Sequence, residues 1–287
     1  MKTYLPYIHG YRPREAERLQ DQAQTLVDLL HGDTIYQPGS RVLEAGCGVG
    51  AQTVTLASRS PGANFTSIDI SADSVAVARA RCQQAGLDNV EFRQADIFSL
   101  PFEDHCFDHV FICFVLEHLA QPFQAVALLR RLIRPGGTIT VIEGDHGSVL
   151  MHPESTDALA AIQCQVCLQQ GAGGNALVGR QLYPILGAAG FDEVRVTPRM
   201  VYVDASRPGL VDGFTRKTFV AMVEGVREAA ISEGLITPQR FDAGMLDLHR
   251  TMQADGMFSY TFFKAVGLNG PECMPRLAGH APRTPRL

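Results

Sequence analysis

Three acids stand where short apolar runs end. Glu44 closes the run through Val42 and Leu43 and opens onto glycines at 46, 48 and 50; Asp69 closes Phe65–Ile68; Asp96 follows the run Val90–Gln94 by two residues. A glycine turn between a strand and helical sequence, here Ala51 to about Arg59, lets a ligand approach bare backbone, either because a Cβ would collide with it or because φ must be positive. The spacing Gly46-x-Gly48-x-x-Ala51 also fits the dinucleotide fingerprint. Glu44 argues against that fit, since a carboxylate at the turn repels a pyrophosphate and suits a cation. A fourth group, Glu143-Gly-Asp-His-Gly-Ser148, leaves the end of a later strand and carries Asp145 and His146. Either side chain is a candidate for taking a proton from a nucleophile, and histidine's ordinary pKa of about 6.5 suits a general base. The same segment also reads as a polar loop that only shapes a pocket, and the glycines as a tight turn in any α/β protein.

Positioning these groups requires strands whose carboxyl ends lie side by side. The spacing predicts strands at 42–44, 65–70, 90–94, 107–113, 138–143, about 194–203 and 256–266, with helices at about 14–30, 51–59, 72–84, 122–133, 153–170 and 178–189. Ser71 is placed to cap the 72–84 helix and Gly86 lies just past its end. Alternating strands and helices with short apolar strands mean a mostly parallel sheet covered on both faces, with ligands at the carboxyl ends of the strands. The alternation breaks after Glu143, where residues 144–177 and 206–255 read as largely helical insertions. Tyr4, Tyr7, His9 and Tyr11 read as a lid, or as a surface tail. Arg180 and Tyr183 either open a helix or contact a substrate.

The 287 residues, 46% apolar and 19% charged, suffice for one large α/β domain, and the net charge of −5 disfavours general nucleic-acid binding. No apolar run reaches the ~20 residues of a membrane span, and Met1–Tyr7 lacks the apolar stretch of a secretory signal. Seven cysteines, an odd number scattered through core segments, read as packed thiols in a reducing, cytoplasmic setting. Cys164-x-x-Cys167 has no second pair or nearby histidine to make a metal or redox site.

The run Glu44-x-Gly46-x-Gly48-x-Gly50 resembles the first motif of class I S-adenosylmethionine (SAM) methyltransferases. The resemblance extends over about residues 35–268, through Ser67-Ile-Asp-Ile-Ser71, Ala95-Asp-Ile97, Phe114-Val-Leu-Glu-His-Leu119 and Leu132-Ile-Arg-Pro-Gly-Gly-Thr138. Phe107-Asp-His-Val110 and Glu117-His-Leu119 are similar to the type 11, ubiquinone/menaquinone-biosynthesis-like branch, which acts on small molecules. The resemblance implies an α/β, seven-stranded Rossmann-like fold: a mostly parallel sheet, an antiparallel last strand between strands five and six, and helical cap insertions. It divides the chain into an N-terminal lid and helix (1–34), the catalytic domain (35–268) and a tail (269–287). It implies SAM as cofactor and S-adenosylhomocysteine (SAH) as product. The cofactor would lie against Glu44, Gly46, Gly48 and Gly50, its ribose at Asp69 and Ile70, its adenine at Asp96 and Ile97, and its methionine part at Phe114 and His118. A small-molecule acceptor would meet Tyr4, Tyr7, Tyr11, Glu143, Arg180 and Tyr183, with His146 or Asp145 as catalytic base. No Asn-Pro-Pro-Tyr or Asp-Pro-Pro-Tyr follows strand four, no Pro-Cys pair occurs, and no metal-binding Asp/Asn triad is present. The expectation is therefore no nucleic-acid substrate, no metal and no membrane, with a homodimer possible. A non-catalytic SAM-binding module and, less favoured because of Glu44, an NAD-dependent oxidoreductase are the alternatives.

Overall fold

The computed structural model describes residues 25–270. Its apolar runs become seven strands: β1 (Arg41–Ala45), β2 (Asn64–Asp69), β3 (Val90–Gln94), β4 (Phe107–Cys113), β5 (Ile133–His152), β6 (Asp192–Asp204) and β7 (Met257–Leu268). The order across the sheet is β3-β2-β1-β4-β5-β7-β6. The first five strands run parallel, and β7 is antiparallel to both of its neighbours, as expected. Tyr4, Tyr7 and Tyr11, the first part of the 14–30 helix and the tail beyond 270 lie outside the described residues.

Alternation along the strands builds two cores. Val42, Phe111 and Ile142 face α1 (25–31), α2 (Ala51–Arg59) and the cap; Leu43, Ile112 and Val141 face α4 (Pro122–Leu132) and α6 (Leu182–Ala188). Both neighbours of β4 are strands and helices cover both its faces, so this strand is apolar almost throughout. Ser71 caps α3 (Ala72–Gln84) by accepting from the Ser74 amide at 3.2 Å, and Gly86 sits just past its end at φ 69°. Ser155 caps α5 (Thr156–Gly171) in the same way, which moves its start three residues past the Pro153 expected from sequence. The expected 178–189 helix divides into a single turn, Val178–Gln181, followed by α6.

The insertion between β6 and β7 is helical. It runs through α7 (Pro208–Leu210), a wide π-helical stretch Val211–Val220, α8 (Ala221–Glu224), α9 (Arg227–Ser232) and α10 (Pro238–Arg250). It brings Phe214 and Phe219 onto Phe258, Tyr260 and Phe262 of β7, with ring centroids 4.7–6.2 Å apart. Aromatic packing of this kind dominates core energetics.

The sequence-based boundary of β5 needs correction. The strand does not stop at Glu143. It continues to His152, still paired with β7 as far as His152↔Met257, with a shift in register between Asp145 and Leu150. Glu143–Asp145 is therefore sheet, paired with Phe263, Phe262 and Thr261 of β7, whereas residues 146–149 bulge out of the ladder and the His146 amide donates to the Ala176 carbonyl at 3.1 Å instead.

A buried cation joins β7 to the N-terminal side. Lys264, only 4% exposed, donates to the Leu30 carbonyl (3.2 Å), Asp33 Oδ1 (2.6 Å) and Thr34 Oγ1 (2.6 Å), and Arg199 of β6 also pairs with Asp33. The lysine thus satisfies a carbonyl at the end of α1, where helices leave acceptors without donors. Replacing Lys264 with Met is expected to cost ~2 kcal/mol, because the Leu30 and Thr34 oxygens lose their donor. Urea unfolding checks it, and a midpoint equal to wild type would show that the contact contributes nothing.

Candidate functional site

The three glycines of the turn after β1 all have positive φ: 80° at Gly46, 51° at Gly48 and 79° at Gly50. Their surroundings differ. A Cβ on Gly46 would overlap the Val115 side chain, and one on Gly50 would overlap Ala78 of α3. Nothing lies within 4 Å of the Cβ position at Gly48. Two of the glycines therefore serve close packing inside the protein, and the middle one faces open space over the turn.

The acids arrange themselves around this turn. Asp69 accepts from the Gly48 amide at 2.8 Å and from the Ser71 amide at 2.9 Å, so it ties β2 to the turn. Burial raises its pKa, opposed by those backbone bonds. Asp96 accepts from the Phe98 amide at 2.9 Å, and the Ala95 amide donates to the Asp69 carbonyl at 3.0 Å, which sets the ends of β2 and β3 side by side. Ile70, next in the chain after Asp69, is 36% exposed there. Ile97 turns the other way: it packs on the α4 side and lines a cleft of about 200 Å³ with Phe98, Leu100 and Leu128.

Glu44 is turned inward. Its Oε2 accepts from Thr53 Oγ1 (2.7 Å) and Ser67 Oγ (2.6 Å), which braces β1 against α2 and β2. Burial pushes its pKa up to about 7, against the two hydroxyl bonds that favour the anion.

At the end of β4, Phe114 holds a left-handed φ of 58° and lays its ring 5.4 Å from Phe262. The turn Leu116–His118 follows, with His118 Nε2 3.4 Å from Glu117 Oε1. Glu143, fully buried, accepts from the Val115 amide (3.0 Å) and the Leu116 amide (2.7 Å) through Oε1, while its Oε2 has no hydrogen-bond partner. Burial and the neighbouring Glu117 carboxylate push its pKa well up.

Asp145 and His146 do not stand at an open edge. Asp145 is gripped at both oxygens by Arg180, 2.7 Å each, and also accepts from the Gly147 amide at 3.0 Å. Both carboxylate oxygens are thus occupied by the guanidinium fork. His146 is buried, with Nδ1 3.0 Å from Tyr260 Oη and Nε2 3.0 Å from the Gln165 side-chain amide. Arg180 thus joins the site through Asp145, whereas Tyr183 stands 64% exposed on α6. The sequence reading missed Tyr260, Gln165 and Val115 as members of the site. Tyr260 was visible only as part of a strand alternation, Gln165 as one polar position in a helix, and Val115 as an apolar residue after β4.

A family profile described as a methyltransferase domain matches residues 37–190. An uncharacterized 37.1 kDa protein in transposon Tn4556 of Streptomyces fradiae is 35% identical over 215 residues, covering 74% of this chain and 61% of that protein. A demethylmenaquinone methyltransferase of Bacillus cytotoxicus is 32% identical over 108 residues, 37% of this chain and 46% of that enzyme. The chain thus spans less than two thirds of these curated relatives. Among solved structures, a phosphoethanolamine N-methyltransferase 2 of Haemonchus contortus, in complex with phosphomonomethylethanolamine and SAH, superposes with a TM-score of 0.55 at 17% identity, covering 88% of this chain and 53% of that one. This last similarity is one of fold.

Two outcomes are expected. Alanine at Gly46 or Gly50 adds overlap with Val115 or Ala78 to the ~1–2 kcal/mol cost of a left-handed L-residue, whereas alanine at Gly48 costs only the latter. Melting temperatures should therefore fall further for the first two, and a Gly48→Ala loss as large as theirs would contradict the open space. For Glu44 the folded pKa lies above its ordinary 4.5, so the native state binds more protons than the unfolded state between about pH 4.5 and about 7. Stability of the wild type should decline through that window relative to Glu44→Gln, whose carbonyl still accepts from Thr53 and Ser67. Parallel stability curves would show that Glu44 titrates normally.

Proposed function

The chain belongs to the methyltransferase-domain family, and we propose that it is a class I SAM-dependent enzyme that transfers the methyl group of SAM to a small-molecule acceptor at O, N or C. The observation that carries the reading is the cradle: a glycine turn with open space over Gly48, flanked by Asp69, Ile70 and Asp96 on adjacent strand ends. Those groups fit the cofactor. Asp69 offers a carboxylate to paired ribose hydroxyls, Asp96 an acceptor to an amine, and Ile70 a face to a flat base. Phe114 and His118 border the methionine end. Glu44 acts from behind the turn, since it is buried and its Oε2 is taken up by Thr53 and Ser67. Bound there, the sulfonium supplies a methyl group already activated for in-line displacement.

The protein's remaining task is to position the acceptor, exclude water and, where the acceptor is protonated, remove a proton. We assign the last role to His146, reached through the Tyr260 hydroxyl. Turning the Gln165 amide by half a rotation places its otherwise unpartnered Oε1 on His146 Nε2–H and leaves Nδ1 to accept from Tyr260; which way an amide points is set by such networks. Asp145 contributes by fixing Arg180 at the border of the cap. The segments 144–177 and 206–255 form that cap, with Glu143 beneath it. Free Cys47, Cys82, Cys106, Cys113, Cys164 and Cys167 support a reducing, cytoplasmic setting, and no helix among the described residues is long and apolar enough to cross a membrane. A homodimer remains part of the proposal.

Calorimetry with SAM, SAH and NAD tests the cofactor assignment. Saturable binding of SAM and SAH without NAD is expected, and transfer of labelled methyl from SAM to a panel of small hydroxyl and amine acceptors tests the reaction. Asp69→Ala should weaken SAH binding roughly tenfold or more, since charged hydrogen bonds contribute ~1.5–3 kcal/mol each. Wild-type affinity in the folded variant would remove the ribose assignment. With an acceptor found in the panel, His146→Ala should lower turnover ~10²-fold or more while SAM affinity holds; unchanged turnover would assign the histidine to packing.

A further inference from the structure

Glu143 sits two strands away from the glycine turn, with β4 between, yet its hydrogen bonds lead to it. One carboxylate oxygen accepts from two consecutive amides, Val115 and Leu116. Those amides belong to the turn that leaves β4 through Phe114, a non-glycine residue in the left-handed region. Such a conformation is disfavoured for a residue with a side chain and persists only where its surroundings enforce it. Three bonds hold Phe114 and its successors: the Phe114 amide to the Ile142 carbonyl at 2.9 Å, and the two from Val115 and Leu116 to Glu143. The side chain held in this way, Val115, lies against Gly46 so closely that no Cβ fits between them. On its other side the same turn is tied to the cap: the Glu117 carbonyl accepts from the Asn175 amide at 2.8 Å and from Gln169 Nε2 at 3.0 Å.

We infer that Glu143 is a positioning residue for the cofactor: its carboxylate locks the turn after β4, so that Val115 seats the glycine turn, and it thereby sets cofactor affinity without touching the cofactor. The inference rests on the SAM reading above. Conformational freedom returned to residues 114–117 must be removed again when ligand binds, and affinity falls by the fraction of molecules in the competent arrangement. The chemical requirement is an acceptor at one fixed point, able to take two N–H groups. A carboxylate does this best, a carboxamide oxygen nearly as well, and an aliphatic side chain not at all. Aspartate keeps the charge but is one methylene too short to reach.

The experiment measures SAH binding by calorimetry and amide hydrogen exchange at Val115 and Leu116 in wild type, Glu143→Gln, Glu143→Leu and Glu143→Asp. Wild-type protein that fails to bind SAH overturns the SAM reading itself, independently of Glu143. Given binding, the expected result is a roughly tenfold or greater loss of affinity in Glu143→Leu and Glu143→Asp, on the scale of losing charge-assisted hydrogen bonds. Faster exchange of the two amides should accompany it, and Glu143→Gln should stay within about threefold of wild type. If Glu143→Leu does not fold, Glu143→Asp decides alone. Wild-type affinity in the Asp variant, or weakened affinity without faster exchange at residues 115 and 116, would overturn the clamp. A Gln variant as weak as the Asp variant would also overturn it, because glutamine keeps an acceptor oxygen at the same reach and a fixed acceptor would then not suffice.

Discussion

The pairing of β7 with β5 is the constraint on which the rest of this structure depends. It runs antiparallel from Thr138↔Leu268 to His152↔Met257, so β5 acquires backbone partners well beyond the point where its parallel neighbour β4 ends at Cys113. The extension turns Asp145 and His146 from loop residues into interior ones. It also brings Tyr260 onto His146, Phe262 onto Phe114 and Lys264 beneath the end of α1. One strand thus joins the cap, the end of β4 and the N-terminal helix into a single core. An antiparallel strand is suited to this, because it needs no crossover and can carry a long helical insertion ahead of it.

Around that frame the site is built from acids kept out of water. Burial raises the pKa of Glu44, Asp69 and Glu143 in every case, and hydrogen bonds from backbone amides or hydroxyls oppose the rise. Each carboxyl group is therefore held in place by the hydrogen bonds that oppose that rise. The opposite device applies at Asp145, where Arg180 supplies a full counter-charge. The division has a chemical consequence. Acids offset only by dipoles ionise less readily once buried, and a cationic ligand beside them would favour their charged form, whereas a paired acid contributes orientation.

The cap owes its order to apolar packing more than to charge. Phe214 and Phe219 of the π-helical stretch and Phe258, Tyr260 and Phe262 of β7 form one aromatic cluster, and His146 packs its ring against Phe219 and Tyr260 within it. A histidine enclosed in this way is oriented by both ring nitrogens and by its two faces. The energetic weight lies in the ring burial, and the specificity in the two hydrogen bonds.

The fold was legible in the sequence because its signals are local. Strand runs of alternating apolar residues, Ser71 before one helix and Gly86 after it, and the acid–glycine spacing at 44–50 each depend on a few neighbouring residues, and the seven strands and the glycine turn followed from them. The carboxylates at 69 and 96 were legible for the same reason: each ends its strand, and parallel strands bring their ends together. The long-range features were not. Glu143 looked like the last residue of a strand before a loop, and only its reach to the Val115 and Leu116 amides, across the β4–β5 interface, gives it a task. Gly46 and Gly48 look alike as letters, yet Val115 crowds one and nothing crowds the other. Tyr260 and Gln165 converge on His146 from positions more than a hundred residues away and nineteen residues away. The sequence by itself determined the strand–helix order and the cofactor-side acids, whose spacing is covalent. Tertiary structure decided which side chains face inward at the acceptor end, because β-strand register and side-chain enclosure are set by partners that the local chain does not contain.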